Sequence, residues 1–267
     1  MAFIDSWREL TVPENQLALT WIGQAGFLIK TASSTIVIDP YLTDSVDHQL
    51  RREHGDGFKR LAPALFAPAD LVADYVFCSH EHGDHLDTEA ICPLLDHPPT
   101  RLFINAAGRQ IALNEGVPAQ KIQTVARGES LRFGDFRVTA LPADHGDLAP
   151  DALGFLFDFG FYTIYYSGDT AYNPDLLQPA IAARPDLALL PINGAFGNLD
   201  ACAAARLADD LQAGCCIPHH FWTFPLHLGN PQQAIDCFPR LAPKCRLLLL
   251  TPGEVIRLPV SELNRTV

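Results

Sequence analysis

The chain has 267 residues, 48% of them hydrophobic, and a formal net charge of −12 at pH 7. This composition is sufficient for a globular core, and the negative charge disfavours nucleic acid or an anionic membrane surface as a partner, because either would repel it. No apolar run approaches the roughly 18 residues of a membrane-spanning helix, and the first residues do not resemble a secretory signal, so we expect a cytoplasmic protein without membrane insertion.

The predicted elements start with strands and later alternate with helices. Apolar runs and alternating patterns predict strands at residues 17–22, 35–39, 75–79, 101–104, 136–141, 154–159 and 162–167. The last two are separated by a short turn with Gly160, which predicts a β-hairpin. Helical periodicity predicts helices at 88–95, 106–114, 174–183, 200–212 and 231–241.

This order of elements predicts an α/β (α+β) protein in which two sheets pack face to face with helices outside, a four-layer αββα sandwich. We find no internal repeat and no Gly/Ser-rich linker, so we predict a single domain over residues 1–267. The seven cysteines show no C-x-x-C spacing and are interpreted as reduced core residues. The alternative is a reactive or metal-binding thiol.

A dense cluster of metal-binding side chains follows the predicted strand 75–79. It reads His80-Glu81-His82-Gly83-Asp84-His85, so three imidazoles and a carboxylate occur within six residues. The spacing allows His80 and His82 to face one metal ion while Asp84 and His85 face a second one nearby. The alternative is a solvated loop that happens to be rich in histidine.

The cluster resembles the H-x-H-x-D-H signature of the metallo-β-lactamase superfamily, and the resemblance extends over nearly the whole chain. It implies the metallo-β-lactamase fold and three further ligands. His145 in LPADHGD would complete the first metal site, Asp169 in YYSGDT would bridge both metals, and His220 in IPHHFWTF would bind the second. Asp39 in TIVIDPY would support the metal loop by hydrogen bonding without binding metal.

Several segments resemble one branch of this superfamily, which contains L-ascorbate-6-phosphate lactonase and, more distantly, N-acyl-phosphatidylethanolamine phospholipase D. They are WIGQAGFLIKT, EGVPAQKI, and IPHHFWTF followed by NPQQA. The resemblance implies hydrolysis of a lactone, such as a sugar-acid phosphate lactone, or of a phosphoester.

Two divalent cations would activate a hydroxide held between them, and Asp84 would be the catalytic residue that orients it and accepts its proton. Mixed imidazole and carboxylate ligands favour Zn²⁺, and the resemblance to the lactonase makes Mn²⁺ the alternative.

Residues 48–60 are candidate substrate contacts because they carry four cationic and two acidic side chains in an otherwise acidic chain. If this segment is a loop over the metals, Arg51, Arg52 or Lys59 would bind a phosphate or carboxylate of a small anionic substrate. The alternative is a salt-bridged surface. Further candidate contacts, each of which could instead be a packing residue, are Asn193, His219, Trp222 and His227. Phe224 is expected to form part of the pocket wall, or else to be a core aromatic residue.

The sequence is also compatible with three other functions. A phosphodiesterase could act on nucleotide-like or phospholipid-like substrates, although the acidic charge disfavours a nuclease. An iron-dependent oxidoreductase could use the same fold, but His82 occupies a position where redox relatives usually carry an acidic residue. A metal-stabilised binding protein would be expected to lack a ligand, and none of the seven is missing. The partner is therefore expected to be a small-molecule substrate, and a homo-oligomer is left open.

Overall fold

The computed structural model describes residues 2–259, apart from the side chains of residues 52–54 and 56. Its strands are β1 (Leu17–Gly23), β2 (Gly26–Lys30), β3 (Thr35–Ile38), β4 (Tyr75–Phe77), β5 (Arg101–Ile104), β6 (Ile122–Thr124), β7 (Ser130–Arg132), β8 (Arg137–Pro142), β9 (Leu153–Asp158), β10 (Thr163–Tyr166), β11 (Leu187–Pro191), β12 (Cys215–His219), β13 (Arg246–Leu247) and β14 (Val255–Leu258). Its helices are α1 (Phe3–Glu9), α2 (Ser45–His54), α3 (Ile91–Leu95), α4 (Ala106–Asn114), α5 (Gln178–Ala183), α6 (Ala201–Asp210) and α7 (Pro231–Leu241).

The strands form two mixed sheets of seven strands each, in the orders β14-β1-β2-β3-β4-β5-β6 and β13-β12-β11-β10-β9-β8-β7. In the first sheet β3 to β6 are parallel neighbours. In the second, β8 and β10 both run antiparallel to β9, and β10, β11 and β12 are parallel. The carboxyl ends of β8, β10, β11 and β12 therefore lie at one edge of their sheet, where loops can present side chains together.

The two sheets pack face to face through large apolar side chains. Phe77 of the first sheet makes edge contacts with Phe155 and Phe157 of the second, at centroid distances of 5.4 and 5.3 Å. Buried side chains of α6 and α7 join the same core from outside the second sheet, while α1, α3 and α4 pack on the outer face of the first. The four-layer αββα prediction is confirmed. A single domain over residues 1–267 stays a prediction.

Most predicted elements occur, with differences at their ends. The bounds of β5, α4 and α7 agree with the prediction. The helix α3 starts at Ile91 rather than residue 88, and residues 88–90 form a turn in which the Asp87 carboxylate accepts hydrogen bonds from the backbone of Glu89 and Ala90. The helices α1 and α2 were not predicted.

The interpretation of residues 48–60 as a loop is wrong. They form most of α2 and a single 3-10 turn, Asp56–Phe58. The helix α2 has few apolar residues, so the sequence does not show the regular spacing of hydrophobic residues that would predict a helix.

The prediction that all cysteines are reduced is wrong for one pair. Cys202 of α6 and Cys237 of α7 form a disulfide, with their Cα atoms 5.3 Å apart. They are 35 residues apart in sequence and meet only because the two helices pack side by side, so spacing gave no signal. None of the described helices is long and apolar enough to cross a membrane.

Candidate metal centre

The loop that follows β4 brings His80 and His82 next to His145, which follows β8. The Nε2 atom of His80 lies 2.9 Å from Nδ1 of His82, and Nε2 of His145 lies 3.3 Å from the same atom. The possible ligand atoms of all three histidines lie within 4.8 Å of one another. The three rings therefore surround a volume in which one cation could bind.

A second group consists of Asp84, His85 and His220. The Nε2 atom of His220, which follows β12, lies 3.2 Å from the Oδ2 atom of Asp84, and Nε2 of His85 lies 3.7 Å from it. These ligand atoms also lie within 4.8 Å of one another. A second cation could bind here.

Asp169, which follows β10, lies between the two groups. Its Oδ1 atom is 3.3 Å from Nε2 of both His85 and His220, while its Oδ2 atom is 3.8 Å from Nε2 of His145. Each carboxylate oxygen thus faces one group of histidines. This is the arrangement that a carboxylate shared by two cations requires.

The donors fit divalent cations by a test that does not depend on resemblance. The Nε2 atom of His85 and the Oδ1 atom of Asp169 are buried and make no hydrogen bond within the described part of the chain. Burying polar atoms in this way is costly unless another partner satisfies them. Seven imidazole and carboxylate side chains gathered around two small volumes are donors that suit divalent cations.

Asp39, directly after β3, holds the loop 80–85 in place through hydrogen bonds. Its carboxylate accepts hydrogen bonds from the backbone and hydroxyl of Ser79, from Nδ1 of His85 at 2.6 Å, and from the hydroxyl of Tyr166. The bond to Nδ1 leaves Nε2 of His85 directed at Asp169 and Asp84. Fixing one ring nitrogen in this way selects the tautomer that can bind a metal through the other.

The loops that carry His145 and Asp169 are tied to each other. The backbone N–H of Asp144 donates to Thr170 Oγ1, and the N–H of Ala171 donates to the Asp144 carbonyl at 2.7 Å. Gly168 precedes Asp169 with φ +61°, and a Cβ there would lie 2.7 Å from the carbonyl oxygen of Leu153. Only glycine fits this turn, which sets the direction of Asp169.

Gln24, in the turn between β1 and β2, was not identified from the sequence. Its Nε2 atom donates to Oδ2 of Asp84 at 2.7 Å and lies 3.2 Å from Nε2 of His220, and its carbonyl accepts from the His220 backbone. The residue lies in the segment WIGQAG, which suggested a resemblance but contains no typical metal ligand. Gln24 and His220 both have positive φ, a strained conformation that often occurs at functional sites.

Burial and mutual charge shift the pKa values of the ligands in opposite directions. Burial lowers the pKa of His80 and of His145, so both are neutral near pH 7. Burial also acts to lower the pKa of His85 and His220, but nearby carboxylates, Asp169 above all, outweigh it and raise the pKa of His220 to about 9 and that of His85 well above its usual range. The metal-free site therefore holds protons on these two rings.

The two carboxylates of the centre are ionised. Burial acts to raise the pKa of Asp84 and of Asp169, but the neighbouring imidazoles of His85 and His220 more than offset it and lower both pKa values below the usual range. Two negative charges at the floor of the site favour a cation there.

Zinc titrated into metal-free protein near pH 7 is expected to release on the order of two protons, because His85 and His220 must lose theirs to bind the metal. The apparent affinity is expected to rise as the pH increases toward about 9. Calorimetry in buffers that differ in protonation enthalpy measures the released protons. Binding without proton release between about pH 6 and 9 would contradict the assignment of these two ligands.

The raised pKa of His220 also predicts how the stability of the metal-free protein depends on pH. The pKa of His220 in the folded chain is raised from 6.5 to about 9, so the protonated ring stabilises the fold fully below about pH 6.5. This contribution is lost as the pH rises through about 9. Chemical denaturation of the metal-free protein at several pH values measures it.

Three of the proposed substrate contacts do not line the cavity above the proposed metal ligands, and a fourth stays a prediction. His219 is fully buried, with its ring stacked on Tyr166 at 5.2 Å, so it cannot reach a substrate. Trp222 is 60% exposed and does not line the cavity above the metal ligands. Arg51 forms an ion pair with Asp47 in the same helix and does not line that cavity either. The side chain of Arg52 lies outside the described residues.

Asn193 and His227 do line the cavity, as does Phe224. The polar atoms of the Asn193 side chain are buried without a hydrogen-bond partner in the described residues. Asn193 is therefore a lining residue whose amide has donor and acceptor capacity that no described residue satisfies.

Comparisons with known proteins agree with this geometry. The model of the Beta-lactamase superfamily domain matches residues 18–220. A UPF0173 metal-dependent hydrolase from Oenococcus oeni is 31% identical over 238 residues, which cover 84% of this chain and 94% of that protein.

Two solved structures show the same fold. An isothiocyanate hydrolase from Delia radicum gut bacteria has a TM-score of 0.73 at 19% identity and covers 90% of this chain and 98% of its own. A metallo hydrolase from the archaeon Ignicoccus hospitalis has a TM-score of 0.70 at 19% identity and covers 92% of this chain and all of its own.

Proposed function

The chain belongs to the β-lactamase superfamily and, within it, to the UPF0173 family of metal-dependent hydrolases, and from this premise we propose that it hydrolyses a small lactone or phosphoester at a centre of two divalent cations. The first cation would be held by His80, His82 and His145, and the second by Asp84, His85 and His220. Asp169 would be shared by both. Zinc is the proposed metal, and manganese is the alternative.

One observation carries this proposal. The two oxygens of Asp169 face different histidine groups, at 3.3 Å and 3.8 Å. A single cation would need only one of these groups, whereas the full set of seven side chains is used when two cations share the carboxylate.

Divalent cations bound here would lower the pKa of water toward neutrality and polarise the oxygen of the bond to be broken. The surrounding side chains would orient the water molecule and the substrate and accept a proton. Asp84 is ionised, is 18% exposed at the floor of the cavity, and is held by Gln24, so it is placed to orient a water molecule and accept its proton. Asn193 would orient the substrate.

The test is hydrolysis by protein reconstituted with zinc or manganese, with the metal content measured in parallel. We expect about two metal ions per chain, and cleavage of at least one class among δ-lactones, phosphomonoesters and phosphodiesters. Isothiocyanates belong in the same screen because the structure with a TM-score of 0.73 is an isothiocyanate hydrolase. Tightly bound iron with visible absorbance and no hydrolysis would favour an oxidoreductase instead.

A further inference from the structure

The metal ligands form the floor of a cavity of about 530 Å³. This volume is typical of pockets that bind small organic molecules. Much of the cavity surface comes from six hydrophobic side chains, which we call the apolar wall: Val46, Leu50, Phe58, Phe196, Phe224 and Leu226. None of these was identified from the sequence as a substrate contact apart from Phe224, which was considered a part of the pocket wall.

One side of the apolar wall is α2. Val46 and Leu50 are four residues apart, so they share a face of the helix, and both line the cavity. Arg51 instead pairs with Asp47 within the helix and does not line the cavity. The helix therefore presents hydrophobic side chains to the metal centre and a charged pair elsewhere.

The other side of the apolar wall is aromatic. The ring of Phe224 packs edge-on against Phe58 at a centroid distance of 6.0 Å, and the ring of Phe196 contacts His227 at 4.4 Å. Burial lowers the pKa of His227, so this ring is neutral near pH 7. The wall carries no positive charge from this side.

The described part of the cavity wall offers no ion-pair partner to an anionic group of the substrate. Among the described residues that line it, none is lysine or arginine. Arg60 lies over the ring of Tyr41 at 4.7 Å and donates to the carbonyls of Tyr41 and Thr43. The cations proposed for the floor would offset the negative charge of Asp84 and Asp169 and would interact with the reactive group, so a second anionic group of the substrate would meet no cationic side chain among the described lining residues.

Part of the apolar surface is left uncovered. Phe196 is 53% exposed, Leu226 is 45% exposed, and Leu148, which also lines the cavity, is 52% exposed. Apolar surface gathered at the opening of a site is stabilised when a hydrophobic group covers it.

We propose that the substrate carries a neutral hydrophobic substituent, such as an alkyl chain of several carbons or an aryl ring, which packs on the apolar wall while its reactive group lies over the metal ligands. This inference rests on the proposed hydrolase function and narrows it, since it favours a neutral lactone over a phosphoester. It replaces the expectation of an anionic substrate.

The first experiment compares δ-lactones with ring substituents of zero to seven methylenes and one lactone whose chain ends in a carboxylate. We expect kcat/KM to rise about threefold to fourfold per methylene until the cavity is filled. The carboxylate-terminated lactone is expected to react at least about tenfold more slowly than its neutral counterpart of equal length. Rates that are independent of chain length, or that favour the carboxylate, would overturn the inference.

Matched variants assign the effect to the apolar wall. The Leu50→Ala variant is expected to weaken the chain-length dependence by raising KM for the longer lactones. Leu61→Ala removes the same atoms at a residue that is 55% exposed and outside the cavity, and it is expected to change nothing. Arg51→Ala is also expected to leave the KM of the carboxylate-terminated lactone unchanged, and a several-fold increase would point to an anionic substrate.

A binding measurement separates failure of this inference from failure of the proposed function. δ-Lactams with the same alkyl chains are neutral and far less reactive than lactones, and calorimetry can measure their dissociation constants with metal-free and zinc-loaded protein. Affinity that increases with chain length and is reduced in Leu50→Ala supports the apolar wall even if no lactone is hydrolysed. Equal affinity for all chain lengths, with hydrolysis intact, refutes this inference and leaves the proposed function standing.

Discussion

Asp169→Asn is expected to reduce kcat/KM by roughly 10³-fold or more and to lower the bound metal below two ions per chain. Asparagine has the size of aspartate but lacks its charge, and its NH₂ group cannot coordinate a cation. Because Asp169 is the only carboxylate near both histidine groups in the described structure, its loss should affect both cations. Steady-state kinetics and metal analysis of the purified variant give the two quantities.

The control for this variant is Asp175→Asn, which removes an exposed carboxylate six residues further along the chain. We expect its activity and metal content to match those of the parent protein. A second readout is the pKa of His220 in metal-free protein. Asp169 raises this pKa to about 9 against the effect of burial, so the Asn variant should show a clearly lower value in NMR titration. Full activity with two bound ions in Asp169→Asn would contradict the shared carboxylate.

Asp84→Asn is expected to lower kcat by 10²-fold to 10⁴-fold, roughly the range of a positioned general base. The carboxylate is ionised and accepts a hydrogen bond from Gln24, and both features would be altered by the amide. Since Asp84 also belongs to the second donor group, kinetics must be measured at saturating zinc. A fall in kcat that excess zinc does not restore identifies a role beyond metal binding.

The matched control for Asp84 is Asp147→Asn, an exposed carboxylate in the turn that follows His145. It alters charge near the opening of the site without touching a donor, so kcat should remain within about twofold of the parent value. If Asp84→Asn regains the full parent kcat at high zinc, Asp84 is only a metal ligand and the proton acceptor must be sought elsewhere.

The proposed ligands of the loop 80–85 can be identified from the sequence because their chemistry is local. Three histidines and an aspartate within six residues leave few other interpretations, and an apolar strand directly before them places the loop at a sheet edge. The remaining ligands depended on resemblance, since His145, Asp169 and His220 are far apart in sequence. The structure brings all seven together because the carboxyl ends of β4, β8, β10 and β12 meet.

His219 and His220 show what adjacency in sequence leaves open. Both follow apolar residues, and the resemblance favoured His220. In the structure His219 still belongs to β12, where its ring lies between Tyr166 and Phe27. His220 has φ +60°, and this change in backbone direction turns its ring toward Asp84 and Asp169. A positive φ at a histidine cannot be read from residue types.

The substrate side of the site could not be predicted, because it is formed by contacts between distant segments. The basic residues of segment 48–60 suggested an anionic substrate, whereas α2 places Val46 and Leu50 toward the cavity. The aromatic side chains opposite α2 are Phe58 and residues from 196–227, and the latter meet α2 only in the folded chain. Gln24 was missed for the same reason: its amide reaches Asp84 across 60 positions.

The most direct measurement is a crystal structure of the zinc-loaded protein, with anomalous diffraction recorded above and below the zinc absorption edge. We predict two anomalous peaks per chain, one among His80, His82 and His145 and the other among Asp84, His85 and His220, with Asp169 contacting both ions. A single peak, or ions bound away from these side chains at saturating zinc, would contradict the account.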